Sequence, residues 1–183
     1  MLRASTHEVH QRLHLHSGFM AVRDGTIDLN AYQMLLARLY GFHLPFESMI
    51  ESKAERSEWL AEDLAALRVS GAALAALPRC AELPRFETLA SQLGALYVIE
   101  GSALGGRTLS KSLDPVLGFG VAEGRRYFIG RGAGTAISWN RFLTRLSNLA
   151  GDAKACEQIL AAAIKTFQVF EDWLNGWRAV SDV

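Results

Sequence analysis

Four of the five histidines fall within the first sixteen residues, in the run Thr6-His7-Glu8-Val9-His10-Gln11-Arg12-Leu13-His14-Leu15-His16. At about 100° per residue on a helix, His7, His10 and His14 project within about 60° of one another, and His16 points away. A row of imidazoles on one face offers ligands to a metal or a metallo-cofactor. A closed zinc site needs three or four ligands, and neither a nearby cysteine nor a zinc-type helical histidine-glutamate pattern completes one. An axial contact to haem iron asks for less, a single imidazole facing a flat apolar pocket. The same histidines also suit exposed or capping positions near a chain end.

A second segment, Tyr97-Val98-Ile99-Glu100-Gly101-Ser102-Ala103-Leu104-Gly105-Gly106-Arg107, places three glycines in a stretch otherwise good for helix. Each interior glycine costs about 1 kcal/mol relative to alanine, so the three need roughly 3 kcal/mol of compensation from whatever approaches the backbone. Gly101 and Gly105 lie about one turn apart and clear a strip free of side chains, flanked by Ser102 and Gly106. Either a neighbouring helix packs into that strip or a flat ligand lies on the bare backbone, with the helix bending over it.

These groups must be positioned by helices. Only four prolines are present, and Ala, Leu, Glu and Arg dominate the longer stretches, a helix-forming vocabulary. From Asp28 to Lys53, Tyr32, Leu35, Leu36, Leu39, Phe42 and Phe46 recur at three- and four-residue steps, predicting one buried stripe with a kink at Pro45. Long helices are also predicted from about Arg85 to Leu113 and from Asp152 to about Trp177, the last with Ile159, Ala163, Phe167, Phe170 and Leu174 on one side. Shorter ones are expected at the N-terminus, at Ser57 to Leu67 and at Ser138 to Leu149. The stretch from Asp114 to Gly134 holds six glycines, one proline and three arginines and reads as a long irregular connection. Nothing alternates with a period of two. The expectation is therefore an all-α, multi-helical single domain over residues 1–183, without the parallel sheet and dinucleotide crevice of doubly wound folds.

Charge and composition narrow the partners. Nineteen basic side chains balance nineteen acidic ones, which leaves no broad positive field for a phosphate backbone, so nucleic acid is excluded as the main partner. Apolar runs are broken by charge or glycine well before the length of a bilayer helix, and no basic-then-apolar leader opens the chain. Two cysteines, Cys80 and Cys156, are too few for a disulfide framework and fit a reduced, cytoplasmic protein.

Taken together, the histidine run and the glycine segment make the chain resemble the haem oxygenase family, most closely the bacterial branch associated with bacteriophytochromes. In that family an N-terminal Lys/Arg-x-x-Thr-x-x-x-His helix carries the proximal haem ligand and a central Gly-x-x-x-Gly-Gly helix covers the distal face. Here the first reads Arg3-Ala4-Ser5-Thr6-His7-Glu8-Val9-His10 and the second Gly101-Ser102-Ala103-Leu104-Gly105-Gly106, in the same order and at a similar separation. The segment Phe167-Gln168-Val169-Phe170-Glu171-Asp172 is similar to the end of the family's last long helix. Mammalian members carry an aspartate where this chain has Ser102, and a glutamate where it has His14.

The resemblance implies that His10 is the iron ligand, that Ser102 and Gly101 are the catalytic groups beside bound oxygen, and that Tyr97, Gly101, Gly105 and Gly106 line the haem. Arg3 and, on a less distinct match, Arg141 or Arg145 pair with its propionates. Haem is then both cofactor and substrate, cleaved with O2 at a meso carbon to biliverdin, carbon monoxide and ferrous iron. No flavin- or nicotinamide-binding pattern is present, so electrons come from an external donor such as a ferredoxin or a reductase. A bacteriophytochrome is the implied bilin acceptor. Other readings of the same residues are a haem carrier or sensor that binds without oxidising, a different activity on this helical architecture, and an interaction module with incidental histidines.

Overall fold

A computed structural model describes residues 2–50 and 55–176. Every regular element among them is helical: α1 (Leu2–Ser5), α2 (His7–His14), α3 (Ser17–Arg23), α4 (Leu29–Met49), α5 (Glu55–Ala66), α6 (Gly71–Ala76), α7 (Leu89–Lys111), α8 (Asp114–Leu117), α9 (Arg126–Ile129), α10 (Gly134–Ser147) and α11 (Ala153–Asn175). The three long helices are the three that periodicity predicts, and each starts on a side-chain cap. The Asp28 carboxylate accepts from Ala31 N–H at 2.8 Å, Thr88 and Ser91 cap one another's backbone, and Asp152 accepts from Ala155 N–H at 3.1 Å. Each cap satisfies a donor that the first turn leaves unpaired.

α4 carries the centre of the core. Tyr32, Leu35, Leu36, Leu39, Phe42 and Phe46 are all fully buried, as the stripe requires. Pro45 has no N–H to give the Gly41 carbonyl, and the Cys80 backbone takes that carbonyl instead, N–H to O at 2.9 Å. The helix therefore runs through Pro45 to Met49 without leaving a buried acceptor unpaired. Gly41 has to be glycine, because a Cβ there would stand 2.3 Å from the Pro78 carbonyl oxygen.

α7 packs along α11 more extensively than any other pair. At their crossing Gly94 lets the backbones touch, since its Cβ would lie 2.2 Å from the Ile159 carbonyl oxygen. Ile159, Ala163, Phe167, Phe170 and Leu174 are buried along α11, the face read from the sequence. Trp177 and residues 51–53, to which two predicted helices extend, lie outside the described residues.

Several boundaries differ from the sequence reading. The N-terminal helix is three short ones, broken at Thr6 and again at His16, whose ring accepts from Gly18 N–H at 3.2 Å and caps α3. α10 begins at Gly134 rather than Ser138, and α7 at Leu89 rather than Arg85. The short α6, capped by Ser70, carries no apolar period and was not predicted. The Asp114–Gly134 connection contains two single turns, α8 and α9. Its glycines 118, 120, 124, 130 and 132 all have positive φ, a conformation side chains disfavour. Arg125 fastens it, donating to the Ser110 and Gly118 carbonyls and to the Asp114 carboxylate at 2.6 to 2.8 Å.

Candidate functional site

A cavity of about 1180 Å³ opens between the α1–α2 segment on one side and α7 on the other, with α10, α11 and α9 closing it. Its lining is mostly apolar. The charged and titratable groups among the described lining residues are four arginines, four histidines, two tyrosines and one cysteine, with no carboxylate among them.

α2 brings His7, His10 and His14 to this cavity, as the helical spacing predicts. It is held by buried Val9 and by buried Leu13, which also lines the cavity, and by a two-pronged ion pair in which Arg12 Nε and Nη2 donate to Glu171 of α11 at 2.6 and 2.8 Å. The His10 ring meets Phe167 edge-on at 6.2 Å and His14 edge-on at 4.4 Å between centroids. Neither of its ring nitrogens has a hydrogen-bond partner among the described residues. Partial burial, then the neighbouring charges of His14, His7 and Arg3, push its pKa below the ordinary histidine value. A neutral imidazole with a free nitrogen is the form that ligates a metal. His16 is set apart, its ring engaged with Gly18 N–H and the Leu174 carbonyl. Arg3 lines the cavity from α1.

On the opposite wall the three glycines divide their work. At Gly105 an added Cβ would meet nothing within 4 Å, and at Gly101 only the Trp139 ring at 3.6 Å. These two leave bare backbone against open cavity. Gly106 is different: its Cβ would stand 2.6 Å from the Phe128 carbonyl oxygen, so it serves the packing of α9 against α7. The strip thus packs a neighbouring element at Gly106 and leaves open space beside Gly105. Ser102 lines the cavity with its hydroxyl donating to the Ile99 carbonyl at 2.8 Å. Tyr97 lines it too, its ring 5.6 Å from Trp139, which stacks in turn on Phe142 at 5.7 Å.

The structure brings His10, Arg3, Tyr97, Gly101, Ser102, Gly105 and Gly106 to one cavity. It does not bring Arg141 or Arg145. α10 turns Trp139, Leu143 and Ser147 inward, and residues two positions further on point about 200° away, so both arginines are solvent-exposed on the outer face. Arg107 is likewise exposed and outside the lining.

Several lining residues were not singled out from the sequence. Arg56 donates to Glu100 at 3.0 Å, and Arg131 to the other Glu100 oxygen at 2.8 Å and to Glu55. Burial would raise the Glu100 carboxyl, but the two guanidinium groups outweigh it and hold the pKa low. This cluster ties the turn just before Gly101 to α5 and to the glycine-rich connection. His43, buried on α4, contacts the Tyr127 hydroxyl through Nε2 at 3.0 Å. For His43 and Glu100 the only available signal was an imidazole or charged side chain inside an apolar helical stretch, and Arg56 and Arg131 sit in a charged stretch and a glycine-rich connection where an arginine points nowhere.

Among the described residues no helix is long and apolar enough to cross a membrane, and no group of three or more histidine, cysteine or acidic side chains is gathered for a metal ion. A family model described as heme oxygenase matches residues 1–176. The chain is similar in fold to the solved heme oxygenase from Leptospira interrogans, with a TM-score of 0.74 at 16% identity, over 94% of this chain and 96% of that one. No curated protein matches it.

Proposed function

The chain belongs to the haem oxygenase family, and from that premise we propose that it oxidises haem to biliverdin, carbon monoxide and ferrous iron. The observation that carries the reading is one cavity, with no carboxylate among its described lining residues, lined both by His10, whose pKa is lowered and whose ring nitrogens have no partner, and by the bare backbone of Gly101 and Gly105. A flat, largely apolar macrocycle with a metal at its centre and two carboxylates on its rim matches each element of that arrangement.

Haem, bound here as substrate, supplies the iron that activates O2, and its electrons come from an external ferredoxin or reductase. His10 ligates the iron from α2, held in place by Val9, Leu13 and the Arg12–Glu171 pair. Gly101 and Gly105 let the ring approach the α7 backbone, which confines a small ligand on the open face and steers it sideways toward the ring edge. Ser102 presents a hydroxyl oxygen whose proton goes to the Ile99 carbonyl, so that face carries a far weaker acid than a carboxyl and no strong donor to split the O–O bond. Arg3 pairs with a propionate at the cavity margin. Val98, Ile99, Phe167 and Phe170 exclude bulk water. A bacteriophytochrome receives the bilin, and the reaction runs in the cytoplasm, where both free thiols stay reduced.

Hemin titration tests the ligand assignment. Wild-type protein should develop the Soret spectrum of a histidine-ligated haem, His10→Ala should lose it, and His7→Ala and His14→Ala should keep it. A protein that stays colourless with hemin, or a His10→Ala spectrum identical to wild type, overturns the proposal.

A further inference from the structure

A second imidazole stands beside His10 and has no part in the site described so far. His14 lies one helical turn further along α2, lines the same cavity, and meets His10 edge-on with 4.4 Å between ring centroids. Among the described residues no hydrogen bond ties either ring to the protein. The helix beneath them is fixed, by buried Val9 and Leu13 and by the clamp of Arg12 on Glu171. A held backbone thus presents two rings that are free to turn.

Their spacing is the one that two imidazoles need to share an ion. Nitrogen binds a first-row divalent metal at about 2.0 to 2.1 Å, and the ring centre lies about 1.1 Å further back, so two rings at 90° to 109° around one ion stand roughly 4.5 to 5.2 Å apart. The observed 4.4 Å falls at the right-angled end of that range. Rotation of the rings closes such a site without moving α2. His7 makes no ring contact with either histidine among the described residues.

The donors decide which ion fits. With no carboxylate among the described lining residues, the site offers imidazole and water, which suit zinc, nickel, copper and ferrous iron rather than magnesium or calcium. Structural metal sites close with four protein ligands, whereas two leave the ion open to exchange. Such a site suits an ion in transit.

We propose that His10 and His14 together form a two-imidazole site for a divalent transition-metal ion, through which the ferrous ion leaves the opened macrocycle. The route for iron rests on the haem reading above. In intact haem the four pyrrole nitrogens fill every position at right angles to His10, so His14 has no place on the iron. Ring opening frees those positions. The bonds from iron to the bilin nitrogens then break, the bilin takes up protons from water, and His14 and water fill the vacated positions. No electron moves in this exchange, and the ion stays ferrous.

Zinc and hemin test the two halves separately. Isothermal titration of the haem-free protein with zinc chloride should show one ion bound per chain. The affinity should fall about tenfold or more in His10→Ala and in His14→Ala, as loss of chelation requires, and stay within about twofold in His7→Ala. Magnesium chloride should give no binding heat. In the hemin-loaded protein turning over with an external electron donor, the interval between loss of the Soret band and capture of iron by a ferrous-specific chelator should lengthen about tenfold in His14→Ala. Absence of zinc binding in the wild type, zinc affinity unchanged in His14→Ala, or an unchanged interval in that variant overturns the inference and leaves the haem reading standing. A wild-type protein that binds zinc in this pattern and takes up no hemin overturns the haem reading and keeps the metal site.

Discussion

At the scale of single residues, the site depends on what a side chain does not meet. The His10 pKa is lowered by partial burial and then by the neighbouring charges of His14, His7 and Arg3, and no carboxylate among the described residues lines the cavity with it. Gly105 and Gly106 are neighbours with opposite constraints, which makes them a sharp test. In Gly105→Ala the new methyl meets open space, so the haem-free protein should gain up to ~1 kcal/mol from helix propensity while haem binding weakens. Gly106→Ala forces the Phe128 carbonyl to move and should lose ~1–3 kcal/mol in the haem-free protein, a penalty typical of overpacking. Thermal unfolding with and without hemin separates the two; equal effects in both variants would contradict the division of roles. Sequence spacing made the histidine row and the glycine strip legible, since helical angle follows from residue number. It did not say which glycine faces a ligand and which a neighbour, because the Phe128 carbonyl comes from a distant part of the chain. His43 was hidden for a related reason: a lone histidine in an apolar stripe looks the same whether it packs or binds.

At the scale of elements, short pieces are held in place by buried charge. α9 is only one turn long, and the Asp63 carboxylate holds its first two backbone N–H groups. Burial raises the Asp63 pKa from 3.8 to about 6, against the opposing pull of the Tyr127 and Arg126 N–H groups, with Glu62 adding to the rise and Arg126 opposing it. A raised folded pKa means the folded state binds the proton more tightly than the unfolded chain. The associated stability is therefore fully present below pH 4 and is lost as pH rises through about 6, roughly 3 kcal/mol for a shift of this size. The difference in unfolding free energy, wild type minus Asp63→Asn, should decline across that window. A flat difference would show that Asp63 titrates normally. The long helices were legible because their stripes and caps are local signals. The arginine placement on α10 was not, since a helix begun four residues earlier, on a stretch read as irregular connection, and packed through Trp139, Leu143 and Ser147 turns Arg141 and Arg145 to solvent.

At the scale of the whole molecule, α4, α7 and α11 form a frame, and the N-terminal segment carrying His10 closes over it. The cavity draws its walls from elements at both ends of the sequence, so no single stretch announces it. Order and separation of two motifs nevertheless pointed to the family, because a ligand held from two sides constrains both helices together. The central claim is that a porphyrin held this way is destroyed by oxidation rather than merely carried. Aerobic turnover of the hemin-loaded protein with an external electron donor, followed by extraction of the pigment and measurement of released carbon monoxide, tests it most directly. The account predicts loss of the Soret band, recovery of biliverdin and carbon monoxide in equal amounts. Recovery of intact haem with no carbon monoxide would contradict it and make the protein a carrier.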